Sequence, residues 1–142
     1  MKNDGKYLEE AVETELIKFQ RDNKKFKYRR LPDARAAHGR IPAQPADFFV
    51  SNWGDAAHIE CKTSKSKTLR LPKFSQHTDM LDWSMAGVAG IILVHFYVPD
   101  RLFMAEVRSL APGKPSWVFG DGLGVELNGI EEFIEKLLEM IE

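Results

Sequence analysis

The spacing of apolar residues divides the chain into segments of two periods. In "YLEEAVETELIKFQRD", Tyr7, Leu8, Ala11, Val12, Leu16 and Phe19 recur at three- and four-residue steps with acids between them. That is the stripe of an amphipathic helix, and Asp4 stands where its cap belongs. "KFKYRRL" then alternates as a strand does, until "PDARAAHGRIPAQP" breaks the pattern with three prolines and a glycine. A loop of that length within a compact fold is usually functional. "ADFFVSNW" and "AAHIECKTS" read as two further strands, and the Gly54-Asp55 step between them makes a hairpin. After a basic loop, "KFSQHTDMLDWSMAG" predicts a helix that closes at Gly87, with Trp83 at its interface with the sheet. "VAGIILVHFYV" is a continuous apolar run of strand length, hence a central strand covered on both faces. "DRLFMAEVRSL" follows through a Pro-Asp turn as its antiparallel neighbour. "APGKPSWVFGDGLGVELNG" is rich in Gly and Pro and predicts irregular structure. In "IEEFIEKLLEMIE", Ile130, Phe133, Ile134, Leu137, Leu138 and Ile141 share one face of a terminal helix.

The predicted order is helix, three strands, helix, two strands, helix. An α/β fold with one mixed sheet and helices packed against it satisfies that order, in a single domain spanning residues 1–142. The length and the 44% apolar content are sufficient for a real core. No apolar run approaches the roughly 20 residues of a membrane-spanning helix, and "MKNDGKYLEE" lacks the apolar centre of a signal peptide. The expectation is a cytoplasmic protein with no membrane partner. One cysteine, Cys61, excludes an internal disulfide and a cysteine-rich zinc site.

Charge changes the picture more than composition does. The net charge of -1 conceals a basic middle, for Arg21 to Lys73 carries 13 Lys and Arg against 5 Asp and Glu. Such a block marks a phosphate-binding surface or, more plainly, a solvated charged face.

Within that block lies the candidate chemistry. Strand alternation puts His58, Glu60, Lys62 and Ser64 on one face and Ala57, Ile59, Cys61 and Thr63 on the other. A hairpin of this length can bring Asp47 beside Glu60. Two carboxylates forced together repel unless a cation sits between them, and Mg²⁺ takes oxygen ligands of this kind, with Mn²⁺ as a substitute. A lysine ammonium nearby can orient the attacking water or neutralise charge on a phosphate. The plainer alternative is a Glu–Lys ion pair on a solvent-exposed strand.

These residues resemble the PD-(D/E)xK nuclease signature, with Pro45-Ala46-Asp47 as its first half and Glu60-Cys61-Lys62 as its second. Ala46 is one residue more than the pattern has, so Asp47 carries the match. The resemblance implies a restriction-endonuclease-like core, a central mixed β-sheet flanked by α-helices, and metal coordination by Asp47, Glu60 and the main-chain carbonyl of Cys61. From Asp47 to Leu110, and best from Lys62 to His77, the chain is similar to RecU-type Holliday junction resolvases of phage or bacterial origin. That similarity implies a homodimer acting on branched or duplex DNA and brings Gln76 and His77 forward as DNA-side or water-positioning residues. A Gly-x-x-(Phe/Leu)-Glu pattern in the first helix of such nucleases is met by "GKYLE", which makes Glu9 a further catalytic carboxylate, with Glu10 and Glu13 as alternatives. In the place of the family's junction-engaging stalk stands the loop holding Arg35, His38 and Arg40.

The expected activity is Mg²⁺-dependent cleavage of four-way DNA junctions. Asp47, Glu60 and Glu9 serve the metal, and Lys62 assists the water. Lys65, Lys67, Arg70 and Lys73 clamp the backbone on one side, and Arg29, Arg30, Arg35 and Arg40 on the other. The rivals are another PD-(D/E)xK nuclease, restriction-like or a repair exonuclease, and a non-catalytic nucleic-acid-binding module. His95 and Trp53 read as packing residues, and His58 as a neighbour of the metal site.

Overall fold

The computed structural model describes residues 5–32, 38, 44–70, 75–110, 116–118, 120 and 122–142, with backbone only at 5, 70, 75, 76, 116 and 118. The elements in chain order are α1 (Gly5–Asp22), β1 (Phe26–Arg30), β2 (Phe48–Asn52), β3 (Asp55–Ser64), β4 (Thr68–Arg70), α2 (Ser75–Met85), β5 (Val88–Phe96), β6 (Arg101–Glu106), β7 (Ser116–Val118), β8 (Val125–Leu127) and α3 (Phe133–Ile141). Short 3-10 turns stand at Val107–Ser109 and Ile130–Glu132.

Six strands form one sheet in the order β1-β2-β3-β5-β6-β8. Its centre is the parallel pair β3–β5, running from Ala56–Val88 to Ser64–Phe96; the flanking pairs are antiparallel. Parallel neighbours require a crossover connection, and α2 lies within it. The apolar run read as a central strand is buried throughout Gly90 to Phe96.

Alternation along the strands separates two cores. Leu8, Val12 and Leu16 of α1 and Phe133, Leu137 and Ile141 of α3 pack on Ala57, Ile59, Cys61, Ile91 and Leu93. On the opposite face Met80 of α2 packs with Ile92, Val94, Phe96, Val107 and Trp117. Gly90 permits this second contact to be close, since a Cβ there would stand 2.7 Å from Val107 Cγ1 and 3.3 Å from Met80 Cε.

Three expectations are corrected. The hairpin turn is Trp53-Gly54, one residue earlier than read; both residues have positive φ, 55° and 93°, as a two-residue hairpin turn of matching twist demands. The basic stretch after β3 contains β4, which pairs with β7 from the segment read as irregular. That same segment supplies β8, an edge of the main sheet paired with β6. These strands have three residues each, too few for alternation to register in sequence.

Candidate active site

Asp47 precedes β2 by one residue and is fixed by its own backbone. Its N–H donates to the Ile59 carbonyl at 3.0 Å, and its carbonyl accepts from the Leu31 N–H at 2.8 Å. Ala46, the additional residue of the first motif half, is buried in the second core. The Asp47 side chain then takes over the ladder, Oδ2 accepting from the Cys61 N–H at 2.8 Å. Asp47 is thereby bonded to the peptide unit that joins Glu60 to Cys61.

Glu60 is 4% exposed, which removes the reading of a solvent-exposed ion pair. Lys62 Nζ lies 2.9 Å from Glu60 Oε2, while Oε1 is buried with no hydrogen-bond partner. Burial, and then the neighbouring Glu60 charge, push the Asp47 carboxyl up to about 7, against the opposing pull of the Cys61 N–H and Lys62. The two carboxyl groups thus face one another in a poorly solvated place where a second negative charge is costly.

That donor set fits a hard divalent cation. A buried carboxylate oxygen lacking a donor, beside an acid that resists ionising, is compensated by a cation with oxygen preference. Asp47 and Glu60 are the side chains that would hold it. The buried Cys61 thiol belongs to the first core, so only the backbone of that residue would be available to such an ion. Burial first, then the charges of Asp47, Glu60 and Glu9, push that thiol well above its ordinary value, and Arg30 opposes them. Among the described residues no three His, Cys, Asp or Glu side chains gather as a metal cluster, so the expected convergence of three acids is reduced to two.

Glu9 is engaged elsewhere. Arg30 Nη2 lies 3.0 Å from Glu9 Oε1, and Nη1 lies 2.9 Å from Glu13 Oε1. Glu13 Oε2 also accepts from the Tyr28 hydroxyl at 2.9 Å. The guanidinium sits 5.6 Å from the Phe48 ring centre. Arg30, read from sequence as a phosphate clamp, is in this structure the counter-ion of two α1 acids one turn apart. Sequence reasoning overlooked this network, whose signal is the i, i+4 pair Glu9 and Glu13 opposite the alternating Tyr28 and Arg30.

The remaining candidates divide. Arg29 is exposed on β1, paired in register with Phe49, which is paired in turn with His58. Lys65 and Lys67 are exposed on a turn stapled by hydroxyls: Ser64 Oγ donates to the Thr68 carbonyl at 2.6 Å, and the Thr68 N–H donates to Ser66 Oγ at 3.1 Å. Ser64 and Ser66 are the residues whose part in presenting those lysines sequence reasoning missed. Arg70 ends β4 and Gln76 lies in α2, while Arg35, Arg40 and Lys73 lie outside the described residues. His77 is turned inward, bonded to the Val107 main chain with Nε2 buried and unpartnered. This corrects its reading as a DNA-side residue.

His58 is buried between Phe49 and Trp83, ring centres 5.4 and 5.3 Å away, and burial lowers its pKa. Trp83 covers it from outside and is 44% exposed, not a core residue. Trp53, in its turn, is 75% exposed with Lys25 Nζ 5.3 Å from the ring centre. His95 is buried, with Nε2 2.8 Å from Asp100 Oδ1 and Nδ1 unpartnered. It lines a cavity of about 320 Å³ with Tyr7, Leu8 and Leu127, apart from the carboxylates above.

No protein-family model and no curated protein matches the sequence. Among solved structures the fold is similar to that of Hjc, a Holliday junction resolvase from the archaeal hyperthermophile Archaeoglobus fulgidus. The TM-score is 0.57 at 16% identity, over 87% of this chain and 97% of that one. The likeness bears out the expected fold class: a mixed six-stranded sheet with flanking helices, similar to the restriction-endonuclease-like fold of Hjc.

Proposed function

We propose that this chain is a divalent-metal-dependent endodeoxyribonuclease that cuts four-way DNA junctions as a homodimer. The observation that carries the reading is the pair of facing carboxylates, Asp47 and Glu60, with Lys62 against one of them. A fold similar to that of a known junction resolvase supports it, and the Lys62 to His77 pattern favours the RecU-type branch.

A bound Mg²⁺ or Mn²⁺ would polarise the scissile phosphate and lower the pKa of a coordinated water. The chain's own residues do the rest. Asp47 is held by main-chain bonds on both sides, so its carboxylate is aimed before substrate arrives, which is the preorganisation that electrostatic catalysis needs. Lys62 restrains Oε2 of Glu60, and the buried Oε1, with no hydrogen-bond partner, is the oxygen that would take the cation. Lys62 is partly exposed, and its ammonium neutralises charge that develops on the phosphate. Lys65 and Lys67 on the stapled turn, with Arg29, contact flanking phosphates; Arg35, Arg40, Arg70 and Lys73 are the further cations assigned to phosphate contact from the sequence. None of these cations is spaced as a base reader, so recognition follows backbone shape. A junction needs two symmetric cuts, which an isologous dimer supplies.

The test compares wild type with Asp47→Asn on a synthetic four-way junction and on linear duplex of the same sequence, with Mg²⁺ and with chelator. Mg²⁺-dependent cutting of the junction by wild type alone, with junction affinity kept in the variant, is the expected result. Equal cutting of linear duplex would assign the chain to another PD-(D/E)xK nuclease. Binding without cutting in either protein would make it a nucleic-acid-binding module.

A further inference from the structure

Trp53 opens the turn between β2 and β3 with φ 55°, a left-handed conformation that Asn and Gly adopt readily and a bulky side chain does not. Burial does not offset that strain, because the residue is 75% exposed; the exposure also corrects its reading as a packing residue. The turn is nevertheless fastened. The Trp53 N–H donates to the Lys25 carbonyl at 3.2 Å, and Lys25 Nζ stands 5.3 Å from the centre of the indole, within the range of a cation–π contact. The indole is thus fixed at its root, flanked by an ammonium and open to solvent.

Its surroundings are basic. Lys24, Lys25, Lys27 and Arg29 are all exposed, while Arg21 is offset by Asp22 at 3.5 Å and Asp55 stands at the far end of the turn. Lys27 and Arg29 lie two residues apart in β1, hence on one face, in register with Ser51 and Phe49. They lead from the turn toward Arg30, whose partner Phe48 follows Asp47. Extended chain separates Trp53 from Asp47 by roughly 20 Å, at about 3.3 Å per residue. A cationic track therefore joins the turn to the carboxylates.

We propose that Trp53 and Lys25 form a stacking platform for an unpaired nucleotide of the DNA, the indole taking the face of the base and the ammonium a neighbouring phosphate. The inference rests on DNA being the ligand, as proposed above, and adds which part of it is held: bases freed from pairing, at a distance from the cut. Every base has a π-face, so an indole accepts any of them without reading sequence. A linear duplex offers such faces only at its ends, whereas strands opened at a branch offer theirs beside it. The platform thus favours branched DNA by the chemistry of its exposed bases, and the β1 cations hold the phosphates between platform and carboxylates.

The test measures binding by fluorescence anisotropy in chelator, so that neither metal nor cleavage enters. Two labelled strands of about 12 nucleotides serve as probes, one of oligo-thymidylate and one of equal length with its bases removed. Trp53→Asn, which suits the turn, is expected to melt no lower than wild type. It should bind oligo-thymidylate about tenfold more weakly, with less than about twofold change on the abasic strand. Trp53→Phe, which keeps a ring, should recover part of the loss. Lys25→Met should weaken both strands about threefold and flatten the log–log salt dependence by about 0.7, one phosphate contact. An equal effect of Trp53→Asn on both strands, or no effect on either, overturns the platform and leaves the nuclease reading to its own cleavage test. A sedimentation coefficient lowered in Trp53→Asn overturns it too, by assigning the indole to an interface between copies of this chain. Wild type that binds a four-way junction but neither strand overturns the platform alone; wild type that binds none of the three removes DNA as the ligand and the reading above with it.

Discussion

Two pairs of acids lie close together in this molecule, and their surroundings differ. Glu9 and Glu13 face Arg30 and Tyr28 at hydrogen-bond distance from half-exposed positions. Asp47 and Glu60 act on each other in a buried place, with one lysine on Glu60 Oε2. The first pair meets a guanidinium and a hydroxyl near solvent, and the second shares one ammonium and one main-chain N–H where water is scarce. Two buried acids with a single counter-charge are a cost for folding, which is why such a pair suggests a site for a cation.

The strongest way to break the contrast is to neutralise one acid of each pair. Asp47→Asn keeps the oxygen that accepts from Cys61 N–H and removes a charge, so the fold is preserved. Mg²⁺-dependent junction cleavage is expected to fall at least about 10³-fold, roughly 4 kcal/mol of transition-state stabilisation, in single-turnover assays. A loss below about tenfold would mean that the buried pair is not the reactive one.

Next in size is the pH dependence of stability. With native Asp47 held at about 7 and its ordinary value at 3.8, the folded chain keeps a proton between those values that the unfolded chain has released. Stability of the metal-free protein therefore falls as pH rises through that window, by about 4 kcal/mol in all at ~1.4 kcal/mol per unit, of which about 2.5 kcal/mol lies between pH 5 and pH 7.5. Urea melts at pH 5 and 7.5 should show the fall in wild type and a smaller one in Asp47→Asn. Mg²⁺ at pH 7.5 should restore the midpoint in wild type only.

The contrast also explains what could be read in advance. β3 was legible to within one residue because alternation sorts it, with Ile59 and Cys61 to one core and Glu60 and Lys62 to the other side, and the hairpin delivered Asp47 to Glu60. Long helices and the run around Ile91 were legible because their periods extend over many residues. β4, β7 and β8 were not, since pairing partners distant in sequence decide such short strands. The site was legible in its identities and not in its state. Sequence gives Arg30 a charge, and only packing assigns it to Glu9 and Glu13 instead of a phosphate. His77 likewise looked polar and available until the turn at Val107 was folded against it.

Glu13→Gln sharpens the comparison from the other side. It removes the charge opposite Arg30 Nη1 and keeps an acceptor for Tyr28. At this exposure solvent screens much of the lost ion pair, so the expected cost is about 1 kcal/mol, seen as a lowered melting midpoint. A cost of about 3 kcal/mol or more would mean that this pair is as poorly solvated as Asp47 and Glu60.

The smallest effect is the most discriminating about independence. Tyr28→Phe deletes one donor, the hydroxyl 2.9 Å from Glu13 Oε2, and leaves Arg30 Nη1 on Oε1. Because Glu13 is only partly buried, water can take the vacated position, and the cost should be about 0.5 kcal/mol, the low end for a single hydrogen bond. Arg30 still pairs with both acids in this variant, so Mn²⁺ affinity in the DNA-free protein should move by less than about twofold. A larger change would show that the tyrosine, and not the arginine alone, sets how strongly the α1 acids are felt at Asp47 and Glu60. The division into a pair near solvent and a buried pair would then give way to a single four-acid site.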